Sequence, residues 1–336
     1  MSYIPLNTED FVVSADSITS TLWSNNMSIL TSFFTSSTNT NNTYLPVYAV
    51  NPSSNTTALP QFSIAYGNSS GSGSAPINPL IPGISPTRIT YGQYRTLING
   101  DENANFNFGA GNTNSSEIYV ININRANYKE KLFLGTFNLS LSGSALINLT
   151  NNSLSTTTVN YSDAGRVFDI VSGSNGKAAS NALSGYTVSG SYGKFLPDVG
   201  LIILNPRALA LPANEGGIDL KTDLNLNSNA LDNNNKNIFD AIRLGASFQL
   251  NSEETITSDY IFIRIKNSDF NYTTNPSIIN SNGEFYYPSL VNNPQTFITT
   301  VGLYNDNNEL LAVAKLSKPL VKDFTKEALI RVKLDF

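Results

Sequence analysis

The strictest constraint on the fold is a two-residue alternation close to the end of the sequence. From Ile330 to Phe336 every second side chain is apolar, and those between them are charged. Because successive side chains of a β-strand point to opposite faces, this period predicts a strand with one buried face, which Phe336 is expected to share. Just upstream, two apolar runs flank the polar segment 305–309, whose Asn and Asp side chains favour turns. The stretch 299–320 is therefore predicted to form a β-hairpin that Pro319 ends, since proline cannot extend a strand ladder.

Alternating or near-continuous apolar runs, separated by Gly, Asn and Pro, recur along the chain. They predict further strands in 117–128, 135–150, 164–173, 198–205 and 259–267. One helix is predicted over 233–248. Its apolar face carries Ile238, Phe239 and Ile242, and Gly245 stands where a glycine commonly ends a helix. The expected fold is mainly β, with antiparallel, hairpin-rich sheets of sandwich-like form, one or two short helices and long irregular loops.

The regularity of the sequence changes near residue 89. Residues 1–89 are predicted to form an extended amino-terminal arm and connector, because their apolar residues follow no sustained period. Within them, 61–88 begins as a strand and continues as a Gly, Ser and Pro loop, whose prolines argue against a phosphate-binding helix. Residues 90–336 are predicted to form a β-rich body with a Gly/Ser-rich excursion at 172–195. The arm is expected to become ordered against neighbouring subunits.

Composition argues against catalysis and against a bound cofactor. The chain has no Cys and no His, so it lacks the thiolate nucleophile, the side chain that titrates near neutrality and the best ligands for transition metals. Its Gly-rich loops lack the Lys-Ser/Thr continuation of a phosphate-binding loop. We therefore expect a protein that is not an enzyme, holds no cofactor and acts on no small-molecule substrate. Calcium bound by Asp and Asn oxygens is the exception left open.

Charge and hydropathy limit the expected partners further. The chain carries 20 Lys+Arg and 25 Asp+Glu without a basic cluster, so no nucleic-acid partner is expected. No apolar run approaches the length of about 18 residues that spans a bilayer, and the first residues lack the pattern of a secretory signal, so no membrane partner is expected. Charged residues make up only 13% of the chain. A surface built from amides and hydroxyls loses less on desolvation than one built from ions, which suits permanent packing against other proteins.

Seven side chains are candidates for contacts between subunits: Trp23, Phe33, Phe34, Arg125, Lys129, Tyr286 and Tyr287. Aromatic residues and arginine are enriched in protein interfaces, which favours most of this set. Trp23 has an alternative interpretation as a core residue, because large aromatic side chains usually bury most of their area. Arg125 and Lys129 have an alternative interpretation as a solvated strand end. Tyr286 and Tyr287 would equally suit a patch that binds a glycan.

Four stretches carry a resemblance to a known family: ITSTLWSNNMSILTSFFTSST (18–38), QFSIAYGN followed by SPTRITYGQYRTLINGDENANFNFG (61–68 and 85–109), NYTTNPSIIN (271–280) and FITTVGLYNDNNELLAVAKLSKPLVKDFTKEALIRVKLDF (297–336). They resemble virion structural proteins of contractile-tailed, T-even-like cyanophages. The resemblance implies a non-enzymatic tail or baseplate component, made in the host cytoplasm and located in the virion. It implies other virion proteins and copies of the same chain as partners. Two alternatives stay open: a head–tail neck or capsid-associated protein of the same particle, and a carbohydrate-binding adhesin or receptor-binding protein.

Overall fold

The computed structural model describes residues 3–36, 44–77, 80, 84–109, 114–179, 185–225, 230–272, 275–292 and 294–336. Strand accounts for 42% and helix for 16%, which confirms the prediction of a mainly β fold with antiparallel sheets and irregular loops. The strands are β1 (Phe11–Thr21), β2 (Ile29–Leu30), β3 (Phe34–Thr35), β4 (Leu45–Tyr48), β5 (Pro60–Asn68), β6 (Phe106–Asn107), β7 (Asn114–Ser115), β8 (Glu117–Ile123), β9 (Lys131–Leu132), β10 (Asn138–Ser142), β11 (Leu146–Asn151), β12 (Asn160–Ser162), β13 (Gly165–Ser174), β14 (Lys177–Ala178), β15 (Gly193–Leu196), β16 (Leu201–Leu204), β17 (Phe248–Gln249), β18 (Asn251–Ile265), β19 (Thr296–Tyr304), β20 (Leu310–Lys322) and β21 (Ala328–Asp335). The α-helices are α1 (Pro86–Asn99), α2 (Pro206–Leu209), α3 (Ala230–Gly245) and α4 (Ser289–Asn292).

The chain folds into two compact units. The terminal unit combines Met1–Ser17 with Thr255–Phe336, and the central unit is Ile18–Glu254. The chain therefore divides near residues 17 and 254. It does not divide near residue 89, where the regularity of the sequence changes, because β2 to β5 belong to the main sheet of the central unit.

A long, curled sheet forms the body of the central unit. Its strand order is β2-β17-β10-β11-β13-β15-β16-β8-β5-β4-β3, with β12 and β14 attached to β13. Apolar side chains alternate between its two faces: in β8, Ile121 joins the larger apolar cluster while Val120 joins the smaller one. The larger cluster also takes in side chains of α2 and α3, and the smaller cluster includes side chains of α1. The sheet is thus buried on both faces for part of its width.

Helix α1 corrects the sequence prediction, which placed an extended connector through residue 89 and a β-rich body from residue 90. The helix begins at Pro86, the first helical position, where a proline forfeits no helical hydrogen bond. Ser85 precedes it in extended conformation, and Gly100 follows it with a left-handed φ of 65°. The proline therefore starts this helix, although proline in a helix interior would break it.

A close approach between α1 and β5 fixes the helix on the sheet. A Cβ at Gly67 would lie 2.9 Å from the backbone nitrogen of Tyr91, so a side chain there would push the helix away. The Tyr91 hydroxyl donates to the backbone oxygen of Ser115 at 2.6 Å. The glycine and the buried tyrosine together hold α1 over part of the sheet face that carries the smaller apolar cluster. We call this face of β5 and β8 the outer face.

Helix α3 confirms the helix predicted around 233–248, but its glycine has a different role. Ile238 and Ile242 are fully buried in the larger cluster, as their shared face predicts. Gly245 is the last helical residue, and the left-handed conformation falls on Ala246 with a φ of 53°. A Cβ at Gly245 would lie 2.0 Å from the backbone oxygen of Ser140. This glycine is therefore required by the close packing of α3 on β10.

Two β-layers form the terminal unit. One consists of β21 and the parts of β1 and β18 that belong to this unit, in the order β1-β18-β21. The other is the hairpin of β19 and β20, which confirms the hairpin predicted from the sequence. In the sheet, Ile263 pairs with Ile330, and both side chains cluster with Leu303 of the hairpin. The alternation predicted from Ile330 onward thus places one face of β21 against the hairpin.

Two details of the terminal unit differ from the prediction. Pro319 does not end β20, which continues to Lys322. The pairing with β19 shifts register between Ile298 and Thr300, so Pro319 lies in an unpaired bulge. Its missing backbone N–H therefore removes no hydrogen bond between the two strands. Phe336 lies beyond the end of β21 and is 76% exposed, so it does not share the buried face.

A buried lysine ties the segment after β18 to β20. Lys322 is 0% exposed. Its Nζ donates to the backbone oxygens of Asn267 and Asp323, both at 2.9 Å. The third bond reaches Oδ1 of Asn271 at 3.0 Å. Because an ammonium group has three donors, every one of them is satisfied inside the terminal unit.

Candidate functional site

The described part of the chain contains no cluster of three acidic side chains placed to hold a metal ion. The candidate ligand site is an open groove in the central unit, beside α1 on the outer face of β4, β5 and β8. It consists of two adjoining hollows of about 300 Å³ and about 570 Å³, which share Tyr44, Ser63 and Asn122 in their linings. These volumes fall within the range of about 300–1,000 Å³ typical of ligand sites. We call this feature the tyrosine groove.

The floor of the tyrosine groove is the polar continuation of a buried sheet face. Ala65 pairs with Val120, and both belong to the apolar cluster beside α1. Two residues further along the same face, Ser63 pairs with Asn122 and also with Pro46 of β4. Within the described residues, the side chains of Ser63 and Asn122 have no hydrogen-bond partner. The face therefore turns from apolar to polar where α1 ceases to cover it, and the polar groups there are free to bind a ligand.

Phenol side chains supply the walls of the groove: Tyr44, Tyr48, Tyr94 and Tyr128. Burial raises the pKa of Tyr94 above its ordinary value. Burial also raises the pKa of Tyr128, against the opposing effect of the nearby Arg125 charge. Both phenols are therefore neutral at physiological pH, where a phenol can donate one hydrogen bond and accept others. Tyr44 is 53% exposed, which leaves much of its ring accessible at the rim.

Arg125, one of the predicted interface residues, borders the larger hollow, but its donors are used within its own chain. Its guanidinium carbon lies 4.6 Å from the centroid of the Tyr128 ring. One terminal nitrogen donates to the backbone oxygen of Tyr128, and the other donates to that of Lys129 at 2.6 Å. The arginine thereby fixes Tyr128 and the loop after β8, and it offers few free donors to an anion.

The structure places two predicted interface residues in the core of the chain itself. Trp23 is 2% exposed, its ring N–H donates to the backbone oxygen of Phe248 at 3.0 Å, and the two rings lie 4.9 Å apart. Phe33 is also buried, with its ring packed edge-on against Phe62. Side chains so completely covered have no area left for a neighbouring subunit. This corrects their assignment to an interface and supports the alternative interpretation of Trp23 as a core residue.

The remaining interface candidates lie at the surface. Phe34 is exposed at its position in β3. The Lys129 ammonium lies 2.6 Å from the Glu254 carboxylate in an exposed ion pair, as a solvated strand end would place it. Tyr286 and Tyr287 are more than half exposed, in the terminal unit, and they take no part in the tyrosine groove. The structure therefore does not gather the predicted candidates into one site.

An uncovered strand edge is the second surface of interest. In the terminal unit, β1 pairs with β18 on one side, and no described strand pairs with its other edge. Its first three residues, Phe11, Val12 and Val13, are all exposed, Val13 at 69%. The strand contains one charged residue among its eleven, Asp16, and it contains no proline and no glycine. Protective features that commonly block pairing at a sheet edge are therefore scarce in β1.

Sequence reasoning missed the groove residues Tyr44, Ser63, Tyr94 and Asn122. They belong to four separate segments of the chain, and no local pattern links them. A partial signal existed in β8, where the polar Asn122 follows Val120 on the same face of an apolar strand. A break of this kind in an otherwise buried face marks the point where a sheet becomes open to solvent.

The described residues include no helix long and apolar enough to cross a bilayer. The chain matches no protein-family model, no curated protein and no solved structure.

Proposed function

We propose that the chain is a non-enzymatic structural component of a phage virion. It assembles into the tail or baseplate through contacts with copies of itself and with other virion proteins. The resemblance of four stretches to virion proteins of contractile-tailed cyanophages supports a role in a phage particle. The uncovered edge of β1 is the observation that supports assembly by subunit contacts.

The physical basis of this assembly is the pairing capacity of β1. An edge strand presents backbone N–H and C=O groups that another strand can pair with, and apolar side chains add burial once the pair forms. In β1 the residues at the start of the strand are apolar and exposed, and the nearest charge on the strand is Asp16. A second chain that pairs there covers Phe11 and Val13 if its side chains pack on one face of β1, or Val12 if they pack on the other. The edge thus serves as a contact surface without any catalytic group.

Self-association of the full chain tests the contact. Wild type and Val13→Lys are compared by sedimentation velocity over a concentration series, because lysine on an edge strand opposes pairing. We expect concentration-dependent oligomers of wild type and a monomer for Val13→Lys. Val188→Lys, at a similarly exposed valine in the central unit, is the matched control and should behave as wild type. Circular dichroism checks that all three chains fold alike. A wild type that stays monomeric at about 100 μM, where even weak pairing with a Kd in the micromolar range would show, contradicts the contact.

Presence in a particle tests the virion role separately. Particles purified on a density gradient from infected cells that produce the chain should yield its peptides by mass spectrometry. The peptides should keep a constant ratio to the major particle proteins across the gradient peak. Recovery of the chain only from the unsedimented fraction would overturn the structural role, whatever the oligomeric state of the purified protein.

A further inference from the structure

We propose that the tyrosine groove binds an uncharged carbohydrate, a short linear segment of a neutral polysaccharide. This inference rests on the geometry of the central unit alone and does not depend on the virion role. The occupant follows from three properties of the groove: the charge of its lining, the pairing state of its polar groups and the arrangement of its aromatic rings.

The lining favours a neutral ligand. Its polar side chains are hydroxyls and amides, among them Ser63, Thr90, Gln93 and Asn122, and the described lining contains no carboxylate. Arg125 borders the groove, but its terminal nitrogens donate to backbone oxygens of its own loop. An anionic ligand would lose its hydration without gaining a free cation in return, which disfavours it. An uncharged ligand loses only the hydration of its polar groups, which costs less than that of an ion and can be replaced by hydrogen bonds to the lining.

The unpaired polar groups match hydroxyls. Ser63, Gln93 and Asn122 have no side-chain hydrogen bond to any described residue. An amide offers donors on nitrogen and acceptors on oxygen, and a hydroxyl can do both on one atom. Sugar hydroxyls likewise donate and accept, so they can pair with each of these groups in either sense. A ligand with few polar groups would leave them unmatched once water is excluded.

The rings supply the apolar part of the site. Tyr44 and Tyr94 line the smaller hollow, and Tyr44 and Tyr48 line the larger one. Tyr128 also borders the larger hollow, but it is buried and its ring lies against the Arg125 guanidinium, so it offers a sugar little ring surface. A sugar ring carries C–H groups on its faces and hydroxyls around its rim, so it can lie on an aromatic face while its rim pairs with amides. The two hollows adjoin and share Tyr44, Ser63 and Asn122, which gives the site an elongated, open form. Such a form suits several linked sugar units better than one enclosed unit.

The test uses the full chain and a panel of neutral oligosaccharides of glucose, mannose and galactose, about four to six units long, each titrated by calorimetry up to millimolar concentration. A Kd near 1 mM corresponds to about −4 kcal/mol and is within reach of this measurement. We expect at least one neutral oligomer to bind. An alginate oligomer of the same length serves as the anionic comparison and should bind more weakly.

Paired variants locate the binding. Tyr44→Ala with Asn122→Ala removes a rim ring and a floor amide, both from exposed positions. The loss of one stacked ring and one hydrogen bond should weaken binding about tenfold or more. The matched control is Asn160→Ala with Tyr161→Ala, an exposed amide and an exposed phenol of the same unit outside the groove. The control should bind as wild type does.

Other outcomes overturn the proposal. If no neutral oligomer binds, the groove is not a carbohydrate site. If Tyr286→Ala with Tyr287→Ala abolishes binding while the groove variant retains it, the site is the aromatic patch of the terminal unit. If the alginate oligomer or an extended peptide of neutral residues binds more tightly than every neutral oligomer, the assigned ligand class is wrong. Gln93→Ala, a single exposed change on α1, gives a second measure should the double variant fold poorly.

Discussion

The two units of this chain differ in the kind of side chain that each buries most completely. In the central unit, Phe62 and Phe248 are fully buried among other apolar side chains. In the terminal unit, the best-covered apolar residue described is Ile261, at 4% exposed, while Lys322 is covered completely. The central unit thus closes its own apolar core. The terminal unit has a thinner apolar layer, and its largest fully buried side chain is the hydrogen-bonded Lys322.

The difference teaches where each unit can interact. The central unit also exposes apolar side chains such as Val188, but its tyrosine groove offers a ligand polar groups that have no partner in the described residues. A unit that leaves Val13, Leu311 and Val313 exposed has apolar area available for another chain. The predictions below test this contrast through stability, from the largest expected effect to the smallest.

Phe248→Ala should produce the largest loss. The Phe248 ring lies within 4.9 to 6.3 Å of the rings of Trp23, Phe62 and Phe137, so its removal opens a cavity that the neighbours cannot fill. We expect the free energy of unfolding to fall by about 3–5 kcal/mol in urea denaturation. Leu303→Ala in the thinner core of the terminal unit should cost less than Phe248→Ala. An equal or greater loss for Leu303→Ala would break the contrast between the two cores.

Lys322→Met should loosen the terminal unit by about 1–3 kcal/mol, because three oxygens that accept from the ammonium lose their partner. The effect is read by hydrogen exchange of peptides from 266–272 and 310–323, which should become less protected. Lys318→Met, at an exposed lysine of the same strand, is the control and should leave the exchange unchanged. Unchanged protection in Lys322→Met would mean that the buried ammonium does not hold this segment.

One ion pair of each unit, Arg166–Asp198 in the central unit and Lys333–Asp335 in the terminal unit, should weaken in acid. The two pairs should differ in how strongly salt screens them. Burial opposes ionisation of Asp198, but hydrogen bonds from the Arg166 guanidinium and backbone N–H lower its pKa below the ordinary 3.8. A hydrogen bond from Lys333 lowers the pKa of Asp335 in the same direction, at a more exposed position. A carboxylate with a lowered pKa contributes stability above its ordinary pKa, and this contribution is lost as the pH falls through the lowered value.

We therefore expect Asp198→Asn to destabilise the chain at pH 6 and to approach wild type as the pH falls through the lowered pKa of Asp198, below its ordinary 3.8. Salt at about 1 M should remove most of the smaller effect of Asp335→Asn at pH 6, because exposed pairs are screened, and should leave most of the Asp198→Asn effect. Thermal unfolding at low and high salt measures both. Equal screening of the two variants would show that the Arg166 pair is no better shielded than the Lys333 pair.

Val313→Thr should have the smallest effect. Val313 lies on the outer face of the hairpin and is exposed, and threonine keeps the β-branched shape. The free energy of unfolding should change by no more than about 0.5 kcal/mol in urea denaturation. A loss above about 1 kcal/mol in the monomer would mean that this face is covered within the chain, against the exposure that suggests a contact surface.

The sequence predicted elements whose own side chains carry the signal. Strand β21 and helix α3 were found because apolar residues recur at the period of each element. Helix α1 was missed although Ser85, Pro86 and Gly100 mark its ends, because its interior contains Gly92 and several residues that favour strands. What stabilises α1 is its fit over Gly67, a residue far from it in sequence.

The candidate site was less predictable than the fold. Whether Asn122 faces solvent or a helix depends on how far α1 extends over the sheet, and this is a tertiary property. The burial of Trp23 depends on Phe248, a partner 225 residues away. Tyr286 and Tyr287 are exposed, and two adjacent tyrosines in a polar stretch are visible in the local sequence; their role in an interface stays a prediction.

The position of Trp23 gives the chain an internal optical probe. It is the single tryptophan, and it lies in the core of the central unit. Tryptophan emission therefore reports the opening of that core, whereas far-ultraviolet circular dichroism reports the strands of both units. Unfolding curves from the two signals will coincide if the units unfold together and will separate if they do not. The order in which the units unfold can thus be measured without any label.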